Sequence, residues 1–231
     1  MEIVPRVHQV DGLGMGRAYI LVGDDLTVID SSLPGQAEKI LVYVARLGKQ
    51  PWDVRRIVVT HHHVDHVGSA PELMEATGAE LYVHEADVPF VRGERTQEPR
   101  GPAPVTALIR RFGPKPPRAV TVVHHELRDG DTIPFGGALR VVHAPGHTPG
   151  SVALLWEETS TLFTGDALSH LLRIGLPVGV FTEDMGQAKR SAARLASLAF
   201  ETACFGHGAP IVGSASKRVA AFAARWAGAA T

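Results

Sequence analysis

A chain of 231 residues, 45% of them hydrophobic, can enclose one large core or two modest ones, and it reads as a single domain over 1–231. Its 23 basic and 24 acidic residues leave a net charge of -1, with no excess positive field to draw phosphate backbones or an anionic membrane, so neither is an expected partner. The one cysteine, Cys204, excludes an internal disulfide, and Met1-Glu2-Ile3-Val4 runs into a strand-like segment without the basic and apolar stretches of a secretory signal; the expected compartment is the cytoplasm.

Three short strands are predicted first, over about 3–10, 17–22 and 26–30, as an antiparallel meander broken by Gly12, Gly14, Gly16 and the Gly23-Asp24-Asp25 turn. Pro34 opens a helix carried to Leu47 by the spacing of Ile40, Leu41, Val44 and Leu47, and Gly48 ends it. Arg56-Ile57-Val58-Val59-Thr60 is an apolar, β-branched strand; a histidine cluster, a helix through Leu73 and Met74 to Gly78, and a strand over 80–84 follow. Between Pro89 and Pro117 the texture changes, with Pro99, Pro102, Pro104, Pro114 and Pro116, several arginines and one helical piece around 105–112. A long irregular stretch inside a compact domain is usually functional or disordered, and 89–118 is read as a lid. Strands return at 119–123, 138–143, 152–156 and 161–163. A helix over about 186–198, a strand at 202–205 and an alanine-rich helix close the chain. Strands in runs, with helices between the runs, predict two sheets flanked by helices rather than a doubly wound parallel sheet.

The chemistry concentrates where strands end. His61, His63, Asp65 and His66 stand together in His61-His62-His63-Val64-Asp65-His66. At an extended strand end alternate side chains point the same way, so His61, His63 and Asp65 can converge, and His66 joins them if the chain turns there into a helix. Three further candidates sit beside glycines: His147 in Pro145-Gly146-His147-Thr148-Pro149-Gly150, Asp166 in Phe163-Thr164-Gly165-Asp166, and His207 in Gly206-His207-Gly208. Imidazole and carboxylate donors suit zinc, iron, manganese or cobalt, with zinc the default, and five histidines with two aspartates suffice for two divalent metal ions.

These residues resemble the metallo-β-lactamase fold superfamily, in particular its dinuclear hydrolases such as glyoxalase II and the lactonases. The resemblance implies an α/β fold, a four-layer αββα sandwich of two mixed β-sheets flanked by helices. It implies that His61, His63 and His147 hold one metal, that Asp65, His66 and His207 hold the other, and that Asp166 bridges them. Asp30, after Thr27-Val28-Ile29, would steady the ligand loop, because ligating imidazoles need their other nitrogen fixed. A metal-bound hydroxide would attack a small ester, thioester or lactone, with Asp65 and Asp166 as the catalytic carboxylates and Asp65 as proton carrier to the leaving group.

Departures from the pattern narrow the substrate. The metallo-β-lactamases themselves usually lack the bridging aspartate, glyoxalase II carries a basic helical extension after the last histidine, and the N-acyl homoserine lactonases place a tyrosine where Ser169 stands. The alternative is a mononuclear iron persulfide dioxygenase, similar at Thr148-Pro149-Gly150 and Phe163-Thr164-Gly165-Asp166-Ala167-Leu168 but with another run where this chain has Ser169-His170-Leu171-Leu172-Arg173. A phosphodiesterase or nuclease of the superfamily would need a basic arm. Phe90, Phe112 and Phe181 are candidates to line an apolar site and His170 to contact substrate at its rim; the same apolar rim could join a homodimer. His8, His62, His84, His124, His125 and His143 have no motif partner and read as ordinary surface or strand positions.

Overall fold

The strands sort into two sheets because alternate side chains must find separate partners. In the computed structural model, which describes residues 1–113, 115 and 117–227, the first sheet runs in the order β1 (Glu2–Val4), β2 (Val7–Gln9), β3 (Tyr19–Val22), β4 (Leu26–Ile29), β5 (Val54–Val58), β6 (Glu80–His84) and β7 (His125–Leu127). It is antiparallel as far as β4 and parallel from β4 to β7. The chain then forms β8 (Thr132–Pro134), β9 (Ala138–His143), β10 (Val152–Trp156) and β11 (Thr161–Phe163), a small hairpin of β12 (Ser169–His170) and β13 (Ile174–Gly175), and finally β14 (Thr202–Cys204) and β15 (Ile211–Val212). The second sheet has the order β15-β14-β11-β10-β9-β8; only its β11–β14 pair is parallel.

Along β10, Leu154 and Trp156 face the first sheet while Ala153 and Leu155 face outward, and all four are buried. Along the first sheet Tyr19, Leu21, Ile29 and Val58 meet Leu139, Val141, Leu154 and Phe163 in the layer between the sheets. Ile20, Val28 and Ile57 point the other way, against Ile40 and Val44 of α1 (Ala37–Arg46) and Leu73. The outer face of the second sheet packs Leu155, Leu162 and Ala203 on Ala192, Leu195 and Val219. The result is four layers, helix, sheet, sheet and helix. Each buried leucine or isoleucine contributes about 1.5–3 kcal/mol of transfer free energy, so the period-two pattern fixes which face is which.

Helices hold the loops that leave the strands: α2 (Val64–Val67), α3 (Ala70–Thr77), α4 (Val88–Val91) and α5 (Ala103–Phe112) before the second sheet, α6 (Met185–Ala196) between β13 and β14, and α7 (Ala215–Ala227) after β15. α3 stops at Gly78, whose φ of 70° places it in the left-handed region that terminates helices. Asp184 caps α6 by accepting from the Gln187 N–H at 2.9 Å.

Two sequence expectations need correction. The strand predicted over 3–10 is the β1–β2 hairpin, turned at Arg6, which takes a positive φ of 72°. The segment 119–123 is not a strand. Its Val120 is buried against the helix side of the first sheet and its Val122 is exposed, while the edge strand forms later, at β7. Pro114 and Pro116 of the lid lie outside the described residues. Among those residues, no helix is long and apolar enough to cross a membrane.

Candidate metal centre

The loop after β5 turns at His63 into α2, which brings His61, His63, Asp65 and His66 to one end of the sheets. Asp30, in the loop after β4 at a positive φ of 58°, organises this turn. Its Oδ1 accepts from the Thr60 N–H at 2.7 Å; its Oδ2 accepts from the Thr60 hydroxyl at 2.7 Å and from His66 Nδ1 at 2.8 Å. Because Thr60 gives its hydroxyl proton to Asp30, its Oγ1 accepts from His61 Nδ1 at 3.1 Å. Ser31 clamps the same turn, its N–H and hydroxyl both donating to the His66 carbonyl. One carboxylate therefore assigns the proton of two imidazoles to Nδ1 and leaves each Nε2 facing inward.

The second sheet supplies the rest. His147, between β9 and β10, is set by Thr182: Nδ1 lies 3.3 Å from Oγ1, which itself donates to the Val178 carbonyl at 2.9 Å. Asp166 follows β11 and His207 follows β14; the two strands are parallel neighbours, so their ends come out side by side. Gly206 is the point of closest approach, since a Cβ there would lie 2.1 Å from Asp166 Oδ1 and 2.7 Å from His66 Cε1. Tyr19 of the first sheet donates to the Phe205 carbonyl at 2.6 Å and fixes this strand end from across the interior.

The seven side chains form three overlapping groups, His61 with His63 and His147, His61 with His66 and Asp166, and Asp65 with His66 and His207; within each the donor atoms lie within 4.8 Å of one another. His207 Nε2 is 3.1 Å from Asp65 Oδ2 and 3.3 Å from Asp166 Oδ2. His66 Nε2 and His147 Nε2 are each 3.5 Å from an Asp166 oxygen, too far for a good hydrogen bond. His61 Nε2, His66 Nε2, His147 Nε2 and Asp166 Oδ1 are buried with no hydrogen-bond partner. Such atoms are rare in folded proteins, and cations among them would satisfy all four.

Electrostatics divides the cluster. Burial, reinforced by neighbouring imidazoles, holds His61 and His63 well below the ordinary histidine range, and burial takes His147 to about 4 despite Asp166. Against burial, Asp166 and Asp30 raise His66 to about 9, and Asp166 and Asp65 raise His207 to about 10. Burial also opposes the two carboxylates, yet His66 and His207 keep Asp166 at about 2, and His207 with His66 holds Asp65 well below the carboxylate range.

Two residues without a sequence signal complete the frame. Asp87, fully buried just after β6, accepts at Oδ2 from the His62 N–H (2.9 Å) and the Thr148 hydroxyl (2.8 Å) and at Oδ1 from the Gly150 N–H (2.7 Å). It ties the loop of His61 and His63 to the loop of His147. His62, which reads in the sequence as an ordinary position, has a largely buried side chain: Nδ1 lies 3.0 Å from Asp87 Oδ2, and the ring stacks on Phe90 at 4.1 Å.

A cavity of about 400 Å³ opens beside His63, walled by Val64, Val67, Phe90, Ile109 and Phe181. Described residues of the segment 89–118, among them Phe90, Ile109 and Pro117, line it, and Gln97 fastens that segment by donating to the carbonyls of Phe181 (3.0 Å) and His147 (3.3 Å). Of the apolar candidates, Phe90 and Phe181 line the cavity; Phe112, 71% exposed, points away from it. His170 does not line it either. Its N–H donates to the His207 carbonyl at 2.9 Å and its Nδ1 lies 2.7 Å from the Ala209 carbonyl, so it braces the loop of His207. His84 and His143 stack on each other at 4.1 Å, and His125 stacks on Tyr82.

Residues 11–207 match the sequence pattern of the Metallo-beta-lactamase superfamily. The chain is similar to the probable metallo-hydrolase YflN of Bacillus subtilis, at 28% identity over 80% of this chain and 76% of that one, and to YobT of the same organism, at 33% identity over 80% and 79%. It is 30% identical to the hydroxyacylglutathione hydrolase of Rhodospirillum rubrum over 70% of its own length, and spans about half of that longer protein, 51%. A metallo-beta-lactamase family protein from Thermus thermophilus superposes with a TM-score of 0.73 at 25% identity, over 98% of this chain and 81% of that one. The subclass B3 metallo-beta-lactamase BJP-1 of Bradyrhizobium japonicum shares the fold at 21% identity, with a TM-score of 0.72 over 99% and 90% of the two chains.

Proposed function

The chain belongs to the metallo-beta-lactamase superfamily, and we propose that it is a hydrolase of small esters, thioesters or lactones working with two divalent metal ions, zinc by default. In this reading His61, His63 and His147 would hold one ion and Asp65, His66 and His207 the other, with Asp166 as the carboxylate shared between the two groups. The observation that carries it is the set of buried donor atoms without partners, drawn from both sheets toward one gap. Ions bound there would supply an acidified water and polarise a carbonyl oxygen.

The chain's own residues supply positioning. Asp30 and Thr60 hold the Nδ1 sides of His66 and His61, so that Nε2 is the atom each ring would offer a metal, and Thr182 does the same for His147. Asp65, whose Oδ2 sits beside His207, is the carboxylate assigned to carry a proton to the leaving group. Serine and cysteine nucleophiles are poorly placed: Ser151 is bonded to Thr148, and Cys204 is buried in β14, where burial raises its thiol well above the usual range. The cavity beside His63 would take the apolar part of the substrate, and the lid would keep water from it. The relatives named hydroxyacylglutathione hydrolase put thioesters first in a substrate screen.

Protein purified without chelator is expected to carry about two equivalents of metal per chain, to lose hydrolysis in chelator and to regain it with added metal. One equivalent of iron, with oxygen consumed on a persulfide and no hydrolysis, would overturn the reading.

A further inference from the structure

We propose that the substrate carries a negative charge, a carboxylate or a phosphate, which is received on the lid by Arg95 and Arg100. The inference rests on the hydrolase reading for the word substrate, and on the lid alone for the anion.

A second cavity of about 320 Å³ adjoins the one beside His63, sharing with it Phe90, Arg95, Thr96, Gln97, Glu98 and Pro99. The walls change character between the two. The first presents Val64, Val67, Ile109 and Phe181; the second adds Arg100 and Glu183. Arg95 lines both and stands at their junction.

Three other arginines of the lid and its return are occupied, and Arg111, which has no ion pair among the described residues, lines neither cavity. Arg92 pairs with Glu126, Arg110 with Glu98, and Arg118 with Glu75. Among the described residues, Arg95 and Arg100 have no ion-pair partner; of the two acids that line the second cavity with them, Glu98 is committed to Arg110 and Glu183 has no ion pair. With Glu98 spent on Arg110, the second cavity holds two unpaired guanidinium groups against one unpaired carboxylate, Glu183.

Arg95 is also held in place. Its guanidinium lies 5.1 Å above the centre of the Phe90 ring, and Phe90 stacks on His62 at 4.1 Å with the rings 9° apart. Stacking on a face leaves the N–H edge of the guanidinium for a planar, two-oxygen partner. Arg100 is anchored through its backbone, whose N–H donates to the Val180 carbonyl at 2.8 Å. Arginines restrained before the ligand arrives lose less freedom on binding it, and carboxylate and phosphate are the groups their donor geometry fits.

The test is calorimetric binding of hexyl phosphate, hexanoate and hexanol to the metal-loaded protein, to the Arg95→Ala/Arg100→Ala variant and to the Arg95→Lys/Arg100→Lys variant. Both anions are expected to bind the alanine pair roughly tenfold more weakly than wild type. The lysine pair should fall between, and the wild-type affinity should drop with added salt. A response from only one anion would name the group. Equal anion binding by wild type and the alanine pair overturns the inference. So does an equal loss of hexanol binding, or a lysine pair as poor as the alanine pair, because charge would then not be the cause. Arginine-dependent anion binding without hydrolysis of any ester, thioester or lactone would remove the hydrolase reading and leave the anion site standing.

Discussion

Asp87 shows how much a single buried carboxylate can hold. Its two oxygens accept from His62, Thr148 and Gly150, and an asparagine there would turn an amide NH2 toward a donor. Asp87→Asn is expected to weaken metal binding about 10- to 100-fold, the usual cost of disturbing the groups that orient ligands, as read by competition with a metal-sensitive dye. Burial opposes its ionisation, but the bonds from His62 and Thr148 hold its carboxyl below the usual range. With the folded value under the unfolded one of about 3.9, its stabilisation is complete above that value and is lost as pH falls through the folded one. Urea midpoints of the chelated protein, followed from about pH 5 down to about pH 3, should therefore drop less steeply for Asp87→Asn than for wild type. Gly206→Ala would drive a methyl into Asp166 and His66; metal binding should fail while the far-ultraviolet circular dichroism stays native, and unfolding into a random coil would sink that account. The histidine and aspartate cluster is legible in the sequence because the residue types are rare at such spacing. Asp87 and His62 are not, because their roles arise from partners far along the chain.

At the scale of elements, helices and buried strands are the most readable, since their signals are local. α1 and α3 end at glycines, and the run through Ile57 and Val58 can only be an interior strand. The reading fails where a propensity meets no partner. Val120, Thr121, Val122 and Val123 favour extended backbone, yet the edge of the sheet is taken by the more polar His125, Glu126 and Leu127. The two-residue strands β12, β13 and β15 carry too little pattern to be seen at all. The lid joins the site through Gln97, which bonds the carbonyls of His147 and Phe181. Gln97→Ala removes both bonds and is expected to raise KM by roughly two- to tenfold with a smaller change in kcat. Steady-state kinetics on the best substrate decides this; a fall in kcat at constant KM would instead place Gln97 in the chemical step.

Across the whole molecule, the centre is also a seam. Its side chains come from loops of both sheets, which Tyr19, Asp87, the Val152 N–H bonded to the Thr60 carbonyl at 2.9 Å and the Arg17 N–H bonded to the Gly206 carbonyl at 3.0 Å also join at this end. An ion present at about 100 times its dissociation constant adds about 2.7 kcal/mol to the folded state, and in a protein of this size that is roughly 5–10 °C in Tm. Thermal melts with and without chelator should differ by that amount, and identical curves would argue against a bound ion that spans the sheets. The parallel pairing of β11 with β14 has one more consequence, for synthesis. A ribosome delivers His61, His63, Asp65 and His66 well before His207, so a nascent chain offers only half of a chelator, one that can trade ions freely. In the proposed metal-binding reading the grip would close when β14 docks and Gly206 settles against Asp166, and the ion kept would be the one abundant where translation and folding finish.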